Sequence, residues 1–404
     1  MKKVIVIGVK YYQIGYDFDS SIQETISLCS NINLEVVDVV KIKANDVNIN
    51  SVVGQGKLLL LKQMIDDLQV DALVFNEELT RRQTNFLVDF FDVEILDRSI
   101  VILKIFEQKA SSVEAKIQVE IAFKQYEYAH LINAHNDIYS QQKGSGFRGG
   151  GETQLELDKR KIKREIVILQ KKLVDVVKNR QTQRKQRKKR DVKQVCLVGY
   201  TNSGKSTLLN ALVSDSKQVY AKDQLFATLQ TNSRLIEYQN NEFILIDTVG
   251  FIHLLPTYLI NAFRSTLEEI KEADLIILVN DLSSSNYQME RTTTLNVLQQ
   301  MDIDFDKIIE INNKIDQVEI VNETMVNVSG LKQINLDKLL DLITQKIFDF
   351  NVIEYFFNYH NYKMLQHLRN DSVIIMCVET NDGYLVKAKV NNDLEYKYKE
   401  YIVK

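Results

Sequence analysis

Five short segments between residues 199 and 330 combine glycine, lysine, hydroxyl and carboxylate groups in an order that suits a bound nucleotide. They are GYTNSGKS (199–206), Thr228 within FATL, DTVG (247–250), NKID (313–316) and VSG (328–330). Phosphates, Mg²⁺ and a base each need a different one of these groups. One motif of this length could arise by chance, but five in this order predict a domain that binds and hydrolyses GTP.

The first segment fits the P-loop pattern, in which four residues separate two glycines and Lys205 and Ser206 follow. The apolar run VCLV (195–198) before it predicts a buried strand, and residues 206–213 after it predict a helix. In that setting backbone N–H groups surround the phosphates, Lys205 meets the β- and γ-phosphates, and Ser206 ligates Mg²⁺. We expect the whole loop to bind nucleotide, through Gly199, Tyr200, Thr201, Asn202, Ser203, Gly204, Lys205, Ser206 and Thr207.

The segment EFILID (242–247) predicts an apolar strand that ends at Asp247, a position suited to holding Mg²⁺. We expect the backbone N–H of Gly250 to contact the γ-phosphate and Thr228 to close over the metal, with Phe226 nearby at the nucleotide. The predicted metal ligands are therefore Ser206, Thr228 and Asp247. The predicted catalytic residues are Lys205, Thr228 and Gly250.

The NKID segment selects the base. The carboxylate of Asp316 can accept two hydrogen bonds from the N1–H and exocyclic amine of guanine, which adenine does not offer. One further segment, VSG, completes this end of the predicted site. Its residues are Asn313, Lys314, Asp316, Val328, Ser329 and Gly330.

The residue after DTVG is Phe251, at a position where Ras-like proteins have a glutamine that orients the attacking water. A phenyl ring cannot form that hydrogen bond, so we expect slow hydrolysis that a partner or a cation accelerates. Asn202 occupies the position of a potassium-coordinating asparagine in some GTPases. Potassium is therefore one hypothesis, and ordinary hydrogen bonding within the loop is the alternative.

The chain has 404 residues, of which 45% are hydrophobic and 26% charged, and a formal net charge of −3. This length predicts two to three domains with sizeable cores. No run of about eighteen apolar residues occurs, so we expect no membrane span. The N-terminus, MKKVIVIGVKYYQ, becomes polar after only a few apolar residues, so we expect no secretory signal. The three cysteines, Cys29, Cys196 and Cys377, lie within apolar segments without metal-site spacing and are typical of buried thiols in a reducing compartment. We expect a cytoplasmic monomer, and partial association with a membrane surface stays open.

The order of apolar segments predicts the α/β class. We expect an N-terminal α/β subdomain (1–100), a helical hairpin with a Gly/Arg-rich tip loop (101–190), a Ras-like P-loop domain (191–348) and a small C-terminal α+β domain (349–404). Predicted N-terminal strands cover residues 3–8, 34–40, 72–76 and 93–96, and predicted helices cover 21–31 and 56–68.

Apolar residues at spacings of three and four predict the two long helices of the hairpin. The first series is Phe106, Ala110, Val113, Ile117 and Ile121, and the second runs from Leu155 to Val176. The predicted break (136–151) contains GSGFRGGG, and residues 178–190 include eight lysines or arginines among thirteen. These features predict contact with RNA phosphates, the alternative being a solvated linker and a plain turn. The candidate contact residues are Lys143, Gly146, Arg148, Gly149, Lys185, Arg187, Lys188, Lys189 and Arg190.

The chain resembles the HflX family of ribosome-associated GTPases. The resemblance rests on GSGFRGGGETQLELDKRKI (144–162), AKIQVEIA (115–122), ILDRS (95–99) and the P-loop, FATL and DTVGFI segments. It implies GTP or GDP with Mg²⁺ as ligands, and the large ribosomal subunit and its RNA as partners. It also implies a hairpin tip that reaches the peptidyl-transferase centre, splitting of stalled or idle ribosomes, and hydrolysis that the ribosome stimulates.

Two alternatives stay open at this stage. A GTP-dependent RNA-binding or ribosome-assembly factor would use the same basic hairpin without separating subunits. A GTPase that helps to modify tRNA would also be compatible with Asn202 and the hairpin, although no catalytic cysteine motif or cofactor motif supports it.

Overall fold

The computed structural model describes residues 1–11, 17–44, 50–141, 154–188, 192–213, 232–239, 241–253, 264–319, 325–348 and 350–403. At Tyr11 and over residues 132–141, 154–155, 177–188 and 391–393, the description covers the backbone alone. Phe226, Thr228, the tip loop (144–151) and Lys189–Arg190 therefore lie outside the residues whose structure is described.

Four parallel strands form the N-terminal sheet, in the order β2-β1-β3-β4. They are β1 (Lys2–Tyr11), β2 (Leu34–Ala44), β3 (Ala72–Phe75) and β4 (Glu94–Asp97). Its helices are α1 (Phe18–Asn31), α2 (Gln55–Leu68), α3 (Arg81–Phe91) and α4 (Arg98–Lys109). Both faces of the sheet carry an apolar cluster, as parallel sheets require. The predicted strands and helices are confirmed, and α3 is an addition that begins at a capping box of Thr80 and Gln83.

The helical hairpin consists of α5 (Val113–Gln141) and α6 (Gln154–Lys188), which pack against each other. The prediction of one continuous helix through Phe106 and Ile121 is wrong, because α4 ends at Lys109 and Ala110 has an extended backbone. The Ser112 hydroxyl then accepts the N–H of Ala115 and caps the start of α5. The break also begins later than predicted, since α5 continues to Gln141.

The central sheet has the strand order β10-β9-β8-β5-β7-β6, in which β6 alone is antiparallel to its neighbour. Its strands are β5 (Lys193–Val198), β6 (Asn232–Tyr238), β7 (Asn241–Asp247), β8 (Leu275–Asp281), β9 (Ile308–Asn313) and β10 (Val326–Asn327). Helices described around it are α7 (Lys205–Leu212), α8 (Arg264–Glu272), α9 (Tyr287–Gln300) and α10 (Leu336–Ile347). The carboxyl ends of β5, β7 and β9 bring the three main predicted segments to one edge of this sheet.

The C-terminal part is a three-stranded antiparallel sheet in the order β11-β13-β12. Its elements are β11 (Phe350–Asn358), α11 (Tyr362–Asp371), β12 (Val373–Thr380), β13 (Gly383–Asn391) and α12 (Asn392–Lys397). Strands β12 and β13 form an antiparallel hairpin with its turn at residues 381–382. Throughout the described ranges, no helix is long and apolar enough to cross a membrane.

Candidate functional site

The P-loop connects the buried strand β5 to the first turn of α7, and its glycines meet specific steric demands. Gly204 has a φ of 88°, a left-handed conformation, and a Cβ there would overlap the Asn313 side-chain amide. A Cβ on Gly199 would overlap the carbonyl of Val279. Both positions therefore require glycine, and the chain can curl closely enough to place several backbone N–H groups around one anion.

Two hydroxyl groups inside this loop fit a phosphate ligand. Thr201 and Ser203 are buried, and neither hydroxyl has a hydrogen-bond partner within the described part of the chain. Buried hydroxyl groups without partners are unusual in folded proteins, since each costs free energy. Phosphate oxygens would supply the missing acceptors, so the loop fits the triphosphate that its sequence predicts.

Lys205 is buried at the centre of the loop. Its ammonium donates hydrogen bonds to the carbonyl oxygens of Tyr200 at 2.7 Å and Gly199 at 3.1 Å. Burial lowers the pKa of Lys205 to about 8, although the nearby Asp247 carboxylate opposes that shift. The side chain is therefore a positive charge held in a poorly solvated position, where a triphosphate would stabilise it strongly.

Ser206 and Asp247 are brought together as candidates for a magnesium site. The Ser206 hydroxyl donates to Asp247 Oδ2 at 2.6 Å, and Asp247 is fully buried at the end of β7. A hydroxyl and a carboxylate are oxygen ligands of the kind that Mg²⁺ prefers. The predicted third ligand, Thr228, lies outside the described residues.

Gly250 lies directly against the P-loop. A Cβ at this position would come within 2.8 Å of Thr201 Cα and 3.1 Å of Lys205 Nζ. The lack of a side chain therefore lets the DTVG backbone approach the loop and its lysine, as the predicted γ-phosphate contact requires.

At the other end of the site, Asn313 ties the base-recognition segments to the P-loop. Its amide donates to the Ser203 carbonyl at 2.9 Å, and its side-chain oxygen accepts the N–H of Gly330 at 3.0 Å. Asp316 accepts a hydrogen bond from the Ser329 hydroxyl at 2.6 Å, which fixes the carboxylate beside the VSG segment.

Two more features of this end follow from the fold. Lys314 forms an ion pair of 2.7 Å with Asp281, and Val328 is fully buried with its N–H donated to Asn312 at 2.8 Å. The structure thus brings the residues predicted for guanine recognition together around the carboxyl end of β9.

Phe251 does not point into the cleft between these segments. Its backbone pairs with the P-loop, donating to the Gly199 carbonyl at 3.1 Å and accepting from the Thr201 N–H at 2.7 Å. Its ring is only 3% exposed and belongs to the apolar cluster on one face of the central sheet. The side chain is therefore structural, and no water-orienting group stands at this position.

Tyr200 has a role that sequence reasoning missed. Its carbonyl accepts a hydrogen bond from Lys205 inside the P-loop. Its phenol, however, donates to Glu24 Oε1 at 2.6 Å and accepts the N–H of His253 at 2.7 Å. Arg98 forms an ion pair with Glu24 and donates to the His253 carbonyl at 3.2 Å. Through Glu24 and Arg98, the N-terminal unit therefore contacts both the P-loop and the segment that follows DTVG. The one sequence feature that points to this contact is the ILDRS segment (95–99), because it contains Arg98.

The apolar core supports the same contact. Tyr200, Val249 and Ile252 belong to the cluster that α1, α4 and the hairpin bury on one face of the N-terminal sheet. Asn286, after β8, also donates to the hydroxyl of Ser20 in α1. The nucleotide cleft and the N-terminal unit therefore share a continuous interface.

The predicted RNA contacts are only partly described. Lys185, Arg187 and Lys188 lie on the last turn of α6, where the backbone alone is described. Lys143, Gly146, Arg148, Gly149, Lys189 and Arg190 lie outside the described residues.

Comparison with known proteins places the whole chain among GTPases. Three family models match: the GTP-binding GTPase N-terminal region at residues 19–107, the GTP-binding GTPase middle region at 109–187 and the 50S ribosome-binding GTPase at 194–322. The GTPase HflX of Caldanaerobacter subterraneus is 36% identical, covering 95% of this chain and 91% of that protein. The GTPase HflX of Escherichia coli is also 36% identical, over 74% of this chain and 70% of its own length. A solved GTP-binding protein of Sulfolobus solfataricus in complex with GDP is 24% identical, with a TM-score of 0.45, and covers 86% of this chain and 99% of that one.

Proposed function

Because the chain belongs to the HflX family of GTPases, we propose that it binds the large ribosomal subunit and uses GTP to split stalled or idle ribosomes into subunits. The family model named for 50S ribosome binding covers residues 194–322, which include the P-loop, DTVG and NKID segments. The observation that carries the proposal is the contact of Tyr200 with Glu24 and His253, because it couples that cleft to the unit that bears the long hairpin.

The residues of the cleft have different roles in GTP binding and hydrolysis. The P-loop N–H groups, Thr201 and Ser203 hold the phosphates, Lys205 neutralises their charge, and Asp316 selects guanine. Ser206 and Asp247, with Thr228, would hold Mg²⁺, which supplies charge stabilisation on the transferring phosphoryl group when it is bound.

Phe251 occupies the position of the water-orienting residue, but its side chain is buried in the core of the central sheet and cannot orient water in the cleft. Slow hydrolysis by the isolated protein follows, and the ribosome supplies the missing stabilisation in the bound state. We propose that Asn202, whose φ of 63° turns the loop backbone there, coordinates a potassium ion in that state. Equal rates in potassium and sodium buffers, with and without ribosomes, would remove this part of the proposal.

The hairpin is the element that would reach the ribosomal RNA. Its basic end on α6 and the glycine-rich tip would contact phosphates, with a dependence on salt that follows from counterion release. A narrow glycine backbone at the tip suits entry into an RNA cavity.

Replacing residues 144–151 with a short linker of alanine and serine, which removes Arg148 and the glycines, tests the function most sharply. Splitting is followed by light scattering of purified ribosomes with a non-hydrolysable GTP analogue. We expect the variant to bind GTP normally and to lose splitting, whereas GDP leaves ribosomes intact in both proteins. Unchanged splitting by the variant would exclude a role for the tip. Ribosome binding without splitting by the unaltered protein would favour an assembly factor instead.

A further inference from the structure

The C-terminal sheet leaves one of its two edges open. In the described part of the chain, β12 pairs with β13 alone, and its residues Ile375, Met376 and Val378 are 55%, 41% and 45% exposed. Cys377, which lies between Met376 and Val378, is also exposed, so the prediction that this thiol is buried is wrong. The strand is therefore apolar on both of its faces and still accessible, an arrangement that proteins usually avoid at a sheet edge.

At the opposite edge of the same sheet, the chain itself pairs with the middle of β11. The N–H of Val403 donates to the Glu354 carbonyl at 2.8 Å, and Ile402 forms an antiparallel bridge with Tyr355 of β11. A short segment of the chain thus pairs with the middle of the β11 edge, whereas β12 has no such partner in the described part of the chain.

A bulge at Ile375 shifts the register of β12. Bulges twist an edge and limit pairing, so the regular part of the open edge is confined to residues 376–380. In an antiparallel ladder every second residue turns its N–H and carbonyl away from the neighbouring strand. A short strand from a partner could therefore form a few backbone hydrogen bonds and place side chains against Met376 and Val378.

The positive charge of Arg369 beside this edge indicates which charge a partner strand should carry. Arg369, on α11, donates to the Cys377 sulfur at 3.2 Å, and no described carboxylate lies within ion-pair distance of its guanidinium. The strand itself carries no charge between Val373 and Val378, and the carboxylate of Glu379 accepts a hydrogen bond from the Tyr359 hydroxyl at 3.3 Å. A partner strand with apolar side chains and one carboxylate opposite Arg369 would be complementary in both respects.

We propose that the edge of β12 is a docking site for an extended, mostly apolar segment of a partner protein that carries a carboxylate opposite Arg369. The segment adds a fourth strand to the C-terminal sheet, with backbone hydrogen bonds for affinity and alternate side chains for specificity. This site is separate from the nucleotide cleft and does not depend on the ribosome-splitting function.

The open face of the sheet fits nucleic acid less well. Proteins that bind single-stranded RNA stack bases on exposed aromatic rings and contact phosphates with available cations. Here Lys387 is paired with Glu354 at 3.1 Å, and Lys389 lies over the ring of Phe350 at 4.5 Å. The lysines of the central strand are thus engaged inside the sheet.

The test uses the full-length protein and a fluorescent nine-residue peptide in which threonine and valine alternate around one central glutamate. We expect saturable binding by fluorescence anisotropy, with slower amide hydrogen exchange over residues 376–380. The same peptide with N-methylated backbone should not bind, because it cannot pair as a strand. Val378→Lys should weaken binding at least about tenfold, since a lysine blocks an edge strand. The matched control, Val352→Lys at an exposed valine of the same sheet, should change it by less than about twofold.

Charge reversal supplies a second readout. Arg369→Glu should weaken binding of the glutamate peptide about tenfold and restore binding when the peptide carries lysine instead. Absence of saturable binding, or equal binding of the N-methylated peptide, would overturn the proposal. Two other results would also overturn it: dimerisation of the free protein that Val378→Lys abolishes, which would make a second copy the occupant, and RNA binding that Phe356→Ala abolishes. GTP hydrolysis should be the same in all these variants.

Discussion

The phenol of Tyr200, a residue of the P-loop, donates a 2.6 Å hydrogen bond to Glu24 in the first helix of the N-terminal unit. The same oxygen accepts the N–H of His253, which follows DTVG and Phe251. One side chain therefore joins the phosphate cradle, the γ-phosphate segment and a separate unit of the chain. Any movement of the DTVG segment with the state of the nucleotide must strain or break this junction, or move the N-terminal unit with it.

Tyr200→Phe should destabilise the protein without removing its nucleotide site. The variant keeps the ring but removes the hydrogen bonds of the phenol with Glu24 Oε1 and with the His253 N–H, at a cost of about 1–3 kcal/mol in the free energy of unfolding. Denaturant unfolding measures this cost. GTP affinity should change little, because only the backbone of residue 200 belongs to the phosphate-binding loop and the phenol lies outside the cleft. The control is Tyr359→Phe, whose hydroxyl bonds at an exposed position and whose loss should cost less.

Asp316→Asn should switch the preferred base. The amide can no longer accept both hydrogen bonds from guanine, but it can donate one to the oxygen that xanthine carries at the same position. We expect GTP affinity to fall by at least about a hundredfold and XTP affinity to rise. Fluorescence titration with labelled GTP, XTP and ATP measures the change. Retention of GTP affinity by the variant would mean that Asp316 does not contact the base.

Gly250→Ala should abolish GTP hydrolysis, because its methyl group would lie 2.8 Å from Thr201 Cα and 3.1 Å from Lys205 Nζ. The P-loop or the DTVG backbone would have to move. Gly56→Ala is the matched control, since a Cβ at that position meets no atom within 4 Å. Single-turnover hydrolysis should fall by at least about a hundredfold for the first variant and stay unchanged for the second.

GTP affinity should depend on pH through Lys205. Its pKa in the free protein is lowered by burial to about 8, from an ordinary value of 10.5. Below pH 8 the ammonium is already charged, so binding takes up no proton and the affinity is constant. Above pH 8 binding must take up a proton, and the affinity falls, by at most about tenfold per pH unit. Calorimetric titration between pH 7 and 9 measures this change. Lys205→Arg, whose guanidinium stays charged, should bind more weakly but with a flat profile.

The nucleotide site could be predicted closely because each motif is local. A strand, a glycine loop and a helix within a short stretch of chain determine where Lys205 and Ser206 lie, and the ends of parallel strands bring Asp247 and Asp316 to the same edge. The side chain of Tyr200 could not be placed in this way. Its partner Glu24 is 176 residues distant in sequence, so only the packing of two units decides that the phenol leaves the cleft.

Two features of the fold show a similar limit. Apolar periodicity continues from Phe106 through Ala110 to Ile121, although the helix breaks after Lys109. The pattern reports which side faces the core, and Ser112 alone signals the new start. Phe251 was expected to be unable to orient water, but its burial in the central core depends on pairing with the P-loop, which no local pattern announces.

The most direct test of the central claim is GTP hydrolysis by the purified protein with and without large ribosomal subunits, at low and high salt. We predict slow turnover alone and a stimulation of about a hundredfold or more by the subunits. This stimulation should fade at high salt, because the basic hairpin docks on RNA by releasing counterions. Slow hydrolysis that large subunits leave unchanged at both salt concentrations would contradict the ribosomal function and leave only the GTPase.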